Sequence, residues 1–275
     1  MPTGLSLHVG LNSVDPDAYG GWDGTLLACE NDARDMARLA RAAGFADTVL
    51  LTGEGTVDRF TGALRAAAER LAAGDILLLS YSGHGGQVPD VTGPDDEPDR
   101  RDETLVLHDR QFLDDELHQE FLRFDDGVRI VTFLDCCHSG SSVELPGPGP
   151  GPGAEGPAAR YVPEARQIAL YERDQDFYDD LQRSVAKAAA ASGDGQGPPV
   201  ILISGCQDNQ TASDGPVNGA FTEALLDVWR DGTFRGDYRT FHRAIQRRLP
   251  PTQSPNLYTT GAPSSAFLGQ RPFTV

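Results

Sequence analysis

The chain has 275 residues, 39% of them hydrophobic and 23% charged, which suits one large α/β domain or two small ones. Its 41 acidic residues face only 23 basic ones, for a formal net charge of −18. A polyanion of this size is repelled by nucleic acid and by anionic membrane, and suits a divalent cation or a basic substrate. The opening stretch MPTGLSLHVGLNS lacks the basic start and long apolar core of a signal peptide. No apolar run approaches the ~20 residues of a membrane span, and four cysteines are too few for a disulfide scaffold. These features predict a cytoplasmic protein with free thiols that binds neither nucleic acid nor membrane.

In chain order, short continuous apolar runs alternate with amphipathic stretches. LSLHVGL (5–11) reads as a strand, ENDARDMARLARAAG (30–44) as a helix, TVLLTG (48–53) as a strand and TVDRFTGALRAAAERLAAG (56–74) as a helix. DILLLSYSG (75–83), RIVTFLD (129–135) and VILISG (200–205) read as further strands, with DDELHQEFLRF (114–124) as a helix between the first two. Unbroken hydrophobicity marks strands covered on both faces, and the alternation predicts an α/β fold with a mostly parallel sheet. After Leu145, PGPGPGPGAEGPAA can form neither helix nor strand, and SGDGQGPP (192–199) is a second breaker. RDQDFYDDLQRSVAKAAAA between them is a candidate helix. The expected organisation is therefore a large region over 1–145, a Pro/Gly-rich linker over 146–199, and a small region over 200–275 that completes the same sheet.

Ligands in open α/β sheets sit beyond the carboxyl ends of the strands. Two strands there end unusually: one in SYSGHGG around His84, the other in LDCCHSG around Cys136 and Cys137. Side chains alternate along a strand, so Asp135 and Cys137 share one face and Cys136 the other; Ser82 and His84 also share a face. If the two faces coincide, a thiol, an imidazole, a carboxylate and a hydroxyl meet at one edge. A thiol within reach of an imidazole makes a nucleophile with its proton acceptor and donor. Cys136 is better explained as a small buried hydrophobe. Cys136, Cys137 and His138 lack the spacing of a zinc site, and His138 should point away from Cys137. The glycines around both motifs let backbone approach a bound chain.

His84 precedes Cys137 by 53 residues, close to the caspase spacing. YSGHGGQ followed by DCCHSGS resembles the paired motif of metacaspases, the caspase-like cysteine peptidases of bacteria, plants, fungi and protozoa. LLACENDARDM resembles the family's Cys-x-Asn-Asp segment, and LISGCQDNQTASD resembles the opening of its small subunit. The resemblance implies a caspase-like three-layer α/β/α sandwich around a mostly parallel sheet. It implies Cys137 as nucleophile, His84 as its partner, and the backbone N–H groups of Gly85 and Cys137 as an oxyanion hole. It also implies cleavage of protein or peptide substrates after arginine or lysine, with Asp32 and Asp135 as acids of the S1 pocket and Cys29 and Ser82 as its lining. The place of Asp135, on the face of Cys137, supports that role independently. The resemblance further implies calcium as an activator held by Asp102, Asp114, Asp115 and Glu144, the last standing where an aspartate is usual, and a monomer rather than a dimer. The linker offers Arg160, Arg166, Arg173, Arg183 and Lys187 as sites of self-cleavage. The alternative from another class is a catalytically silent caspase-like module for binding or scaffolding.

Overall fold

The structure, a computed structural model, describes residues 2–92, 100–137, 158–192, 197–206, 212–261 and 265–275. In chain order the elements are β1 (Gly4–Gly10), α1 (Cys29–Ala42), β2 (Ala46–Leu51), α2 (Val57–Ala68), β3 (Ile76–Ser82), β4 (Gly85–Pro89), β5 (Arg101–Val106) and β6 (Gln111–Leu113). They continue with α3 (Asp114–Phe121), β7 (Arg129–Asp135), α4 (Glu164–Arg173), α5 (Gln175–Ser192), β8 (Val200–Ser204), α6 (Ala220–Trp229), α7 (Tyr238–Gln246), β9 (Asn256–Thr260) and α8 (Ser265–Leu268).

The main sheet runs β2-β1-β3-β7-β8-β9, parallel except for β9, which returns antiparallel to β8. Every residue of β1 and β3 is buried, as an unbroken apolar run requires of a strand covered on both sides. The side-chain period of two divides β7 between two cores. Ile130 and Leu134, with Cys136 beyond them, face a core shared with Phe60 and Leu64 of α2 and Leu117 and Phe121 of α3. Val131 and Phe133 face Met36 and Leu39 of α1, Leu225 of α6 and Phe241 of α7. The result is a three-layer α/β/α sandwich around a mostly parallel sheet, to which residues 200–275 contribute β8 and β9.

The five strands read from the sequence lie within two residues of their expected places. The second helix ends six residues early, because the Asp75 carboxylate accepts from the Ala72 amide at 2.9 Å and from the Thr3 amide at 2.6 Å, folding 72–75 into a turn. Antiparallel β4-β5-β6 form a separate sheet that the sequence did not suggest. Glycines open β4 and proline closes it, so its apolar signal is weak. The linker holds two helices rather than one, and both pack on this small sheet: Tyr178 of α5 joins Val88 and Leu113, and Leu170 of α4 joins Val106. Two buried glutamines cover the free edge of β4. Gln167 accepts from the Gln87 amide at 2.6 Å; Gln182 accepts from the Val91 amide at 2.8 Å and donates to the Pro89 carbonyl at 2.9 Å. Unpaired strand edges otherwise solicit other chains.

Gly10 sets how closely α1 approaches the sheet, because a Cβ there would meet the Cys29 carbonyl and the Ala33 methyl. Gly10→Ala is therefore expected to cost about 1–3 kcal/mol of stability by overpacking, read from the denaturant midpoint. An unchanged midpoint would mean that the helix can retreat at no cost.

Candidate active site

The parallel register aligns the carboxyl ends of three strands, with Gly10 beside Ser82 and Ser82 beside Asp135. Asp32 enters from the first turn of α1, drawn down onto this edge by the close contact at Gly10. Its Oδ2 accepts from Ser82 Oγ at 2.7 Å and its Oδ1 from Asn218 Nδ2 at 2.9 Å and the Gly219 amide at 3.0 Å. Asp135 Oδ2 accepts from the Thr222 amide at 3.1 Å and from Thr222 Oγ1 at 2.7 Å, both on α6. A third carboxylate, Asp214, accepts from the amides of Leu27 at 2.7 Å and Ala28 at 3.2 Å. All three acids are buried. Cys29, also buried, lies against the group, and burial pushes its thiol up to about 12.

At the centre of these acids lies Arg160, from the linker, with no solvent exposure at all. Its Nη2 meets Asp32 Oδ2 at 2.8 Å and Asp214 Oδ1 at 2.9 Å; its Nη1 meets Asp135 Oδ2 at 3.0 Å and Ser82 Oγ at 2.8 Å. Gly219 closes over the guanidinium where a Cβ would collide with it. Burial works against the charge of Arg160, but Asp135 and the other carboxylates outweigh it and hold the group protonated. Burial pushes the Asp32 carboxyl up to about 6 against the pull of Arg160, and Asp135 adds to the rise.

The backbone of Arg160 is held as firmly as its side chain. Its carbonyl oxygen accepts from the amides of both Gly85 and Cys137 at 3.1 Å, and its own amide donates to the Ala212 carbonyl at 3.1 Å. Ala159 pairs antiparallel with Ser213, Tyr161 pairs parallel with Gly85, and the Val162 amide donates to the Gly85 carbonyl at 3.0 Å. Residues 159–162 are thus an extended segment clamped on both sides. Gly85 is required here, since any Cβ would strike the backbone of Cys137.

His84 and Cys137 each stand two residues past the paired rung of Ser82 and Asp135. The His84 ring lies between Trp22, with centroids 4.8 Å apart, and the backbone of Tyr161. Its Nε2 is bonded to the Gly24 carbonyl at 2.8 Å, leaving Nδ1 without a hydrogen bond. Burial lowers its pKa to about 4, so the imidazole is neutral. Cys137 Sγ accepts from the Ala212 amide and lies 2.8 Å from Cys206 Sγ. Cys136 turns into the core beside Tyr81 and Leu134, where burial drives its thiol well up. The arrangement brings together a thiol, a neutral imidazole, two converging amides and an acidic pocket filled by an arginine.

Trp22 and Gly24 were not singled out from the sequence, and Cys206 and Asp214 lie inside LISGCQDNQTASD but received no role there. Each sits in a loop or at a strand end with no periodic signal, and Asp214 reaches Asp32 only through the tertiary fold. The other acids lie apart from this site. Asp102 is buried on β5, and Asp114 and Asp115 open α3. Loss of solvent, and the charges of Glu103, Asp115 and Asp102, push the Asp114 carboxyl up to about 8. The side chain still shows an exposed face, so we assign the rise chiefly to the neighbouring carboxylates. Glu144 lies outside the described residues.

Residues 14–266 match the family model described as the caspase domain. The chain is 30% identical over 255 residues to Metacaspase-1 of Mycosarcoma maydis, covering 81% of this chain and 61% of that one. It is 32% identical over 252 residues to Metacaspase-1A of Aspergillus fumigatus, covering 80% of this chain and 58% of the relative. The chain therefore spans about three fifths of the length of these curated relatives. Among solved structures, protein GSU0716 from Geobacter sulfurreducens is 47% identical, with a TM-score of 0.87 over 100% of this chain and 99% of that one. Caspase-1 from Spodoptera frugiperda shares the fold, with a TM-score of 0.56 over 94% of this chain and 86% of that one at 13% identity. The arrangement of strands, the paired motifs and these matches agree: the chain belongs to the caspase-domain family.

Proposed function

We propose that this chain is a cysteine endopeptidase that cuts protein and peptide substrates after arginine or lysine, with Cys137 as nucleophile and His84 as its proton partner. The observation that carries the reading is Arg160. Its guanidinium is ringed by Asp32, Asp135 and Asp214 while its carbonyl oxygen rests on the amides of Gly85 and Cys137. A P1 residue needs both placements at once: side chain in a selective pocket, carbonyl on donors aimed at the developing oxyanion.

In the proposed reaction His84 takes the thiol proton and Cys137 Sγ bonds to the carbonyl carbon. The carbonyl electrons move to oxygen, where the two amides receive the charge; one such donor is worth about 2.7–4 kcal/mol. The tetrahedral species then expels the amine, which takes the proton from the imidazolium. Water, deprotonated by His84, hydrolyses the thioester and restores the thiol. The Gly24 carbonyl and Trp22 fix the ring and leave Nδ1 without a hydrogen bond, so Nδ1 is the atom assigned to the proton transfers in this reading. Arginine meets acids at both terminal nitrogens, whereas a lysine ammonium meets them from one point, so arginine is the better substrate.

We also infer that calcium activates the enzyme through Asp102, Asp114, Asp115 and Glu144. The support is the mutual repulsion that raises Asp114, which a hard cation taking six to eight oxygens would relieve. Among the described residues no three His, Cys, Asp or Glu side chains stand ready as ligands, so binding would draw the segments together. When bound, the ion would tie the start of α3 to β5 and to the segment after Cys137.

Cys137→Ala is expected to abolish hydrolysis of an Arg-ended fluorogenic peptide with the fold intact, whereas Cys136→Ala keeps most activity and loses about 1 kcal/mol of stability. Full activity in Cys137→Ala would remove the assignment. Asp135→Ala and Asp214→Asn should each lower kcat/KM for Arg substrates more than about tenfold, since a charged hydrogen bond is worth ~1.5–3 kcal/mol; a peptide library preferring Asp at P1 would contradict the pocket. Because the neighbouring carboxylates raise the folded carboxyl of Asp114 above its ordinary 3.8, the folded state binds more protons than the unfolded one as pH rises through that range. Stability in chelator should then fall as pH rises through it, and Asp114→Asn should flatten the slope. Equal peptidase activity in excess chelator and in millimolar calcium would remove the ion from the mechanism.

A further inference from the structure

A second thiol touches the proposed nucleophile, and the proposed reaction does not use it. Parallel pairing sets Leu134 of β7 beside Ser204 of β8, and the Gly205 amide carries the ladder past the strand end by donating to the Leu134 carbonyl at 2.7 Å. Two residues beyond that rung stand Cys136 and Cys206. Cys136 turns away into the core. Cys206 instead faces Cys137: its thiol donates to Cys137 Sγ at 2.8 Å and lies 3.3 Å from the Cys136 carbonyl. The hydrogen bond to Cys137, and burial, push the Cys206 thiol well up, so it keeps the proton of the pair. The chain around it is pinned. Ser204 Oγ donates to the Cys206 carbonyl at 3.2 Å, and the buried Gln253 donates to the Gly205 carbonyl at 2.9 Å. Ala212 packs with both cysteines, and its amide donates to Cys137 Sγ. All four cysteines of the chain are buried free thiols. A small apolar side chain would fill the space at Cys206 as well; only a thiol can bond to the nucleophile.

We infer that Cys206 is a resolving thiol for Cys137, and that hydrogen peroxide converts the pair to a reversible Cys137–Cys206 disulfide, which switches the site off and shields Cys137 from irreversible oxidation. The pair itself is read from geometry; that its oxidation stops peptide cleavage rests on the reading of Cys137 as the nucleophile. Neighbouring strands lie ~4.8 Å apart, and a disulfide spans Cα separations of ~4.4–6.8 Å. The two sulfurs have only to close from 2.8 Å to the ~2.05 Å of a covalent bond. In the first step Cys137 Sγ attacks one peroxide oxygen and the O–O bond breaks. The other oxygen leaves as water with the thiol proton, and Cys137 becomes a sulfenic acid. In the second step Cys206 Sγ attacks Cys137 Sγ, and the sulfenic oxygen leaves as a second water with the Cys206 proton. Two thiols are oxidised by two electrons in all, one peroxide is reduced by two, and a dithiol reductant reverses the change. Without a partner, the sulfenic acid meets a second peroxide and passes to sulfinic acid, which thiols do not reverse. A thiol already in contact outruns that bimolecular step. Cys136, although next in sequence, faces the opposite core and is not the partner.

The test treats wild type, Cys136→Ala, Cys206→Ala and Cys206→Ser with hydrogen peroxide in millimolar calcium, followed or not by dithiothreitol. Mass spectrometry of unreduced digests reads the linkage and the oxidation state of Cys137. Hydrolysis of a fluorogenic Arg peptide is read against each variant's own untreated rate, and thermal unfolding checks that both Cys206 variants fold. Wild type and Cys136→Ala should yield peptides joined through Cys137 and Cys206, and dithiothreitol should restore most of their activity. Both Cys206 variants should carry at least about tenfold more Cys137 sulfinic acid than wild type and recover no activity in dithiothreitol. The linkage in the two proteins that keep Cys206 decides the matter even where a Cys206 variant does not fold. No Cys137–Cys206 link in wild type, a link to Cys29 or Cys136 in its place, or equal Cys137 sulfinic acid with and without Cys206 would overturn the proposal. A reversible link in a protein that, when reduced, cuts no Arg peptide would uphold the thiol pair and overturn the peptidase reading; cleavage of the Arg peptide with no link would do the reverse.

Discussion

One guanidinium among three buried carboxylates is the interaction on which the rest of the site depends. Asp32 comes from the first turn of α1, Asp135 from the end of β7 and Asp214 from the loop beyond β8, so the large and small regions meet through their shared counter-ion. Burying like charges together is costly unless each is paired and hydrogen-bonded. Each acid here has a second set of donors, from Asn218 and Gly219, from Thr222, or from the amides of Leu27 and Ala28. Those donors hold the carboxylates in place but do not neutralise them. The charge deficit that remains is what the Arg160 guanidinium answers.

The same balance explains why the neighbourhood is so closely built. Gly10, Gly85 and Gly219 stand where a Cβ would strike, respectively, the helix that carries Asp32, the backbone of Cys137, and the bound guanidinium. Each removes one side chain so that a backbone or a ligand can approach. The catalytic-pair candidates gain from that closeness in a different way. His84 is oriented by a carbonyl and an indole rather than by a carboxylate; burial favours its neutral form against the pull of the Gly24 carbonyl, and the carboxylates near the site are confined to the pocket.

The sheet was legible because β1, β3 and β7 are covered on both faces and therefore read as unbroken apolar runs. The place of Ser82 and Asp135 at one sheet edge was legible too, because strand alternation fixes which residues share a face at the end of a strand. β4 and β9 were not, since glycine, proline and half-exposed polar residues carry no period. The contacts of Asp214 were not legible for another reason: its partners Leu27 and Ala28 lie 187 and 186 residues away in the chain, and only the fold brings them together. Arg160 was one of five basic candidates in the linker, and nothing local separates it from Arg166 or Arg173. Only the pairing of 159–162 with Gly85 and Ser213 does.

The indole against His84 has a practical consequence. The chain contains two tryptophans: Trp229 is buried among Phe241 and Phe273 with the Arg271 guanidinium 4.7 Å from its ring, while Trp22 lies between the His84 imidazole and the guanidinium of Arg166. A charged group above an indole and an aromatic ring beside it both alter its emission. The protein therefore carries its own optical reporter: intrinsic fluorescence splits into a constant component from the core and a variable one from the cleft, and occupancy of the site can be followed in real time without a label.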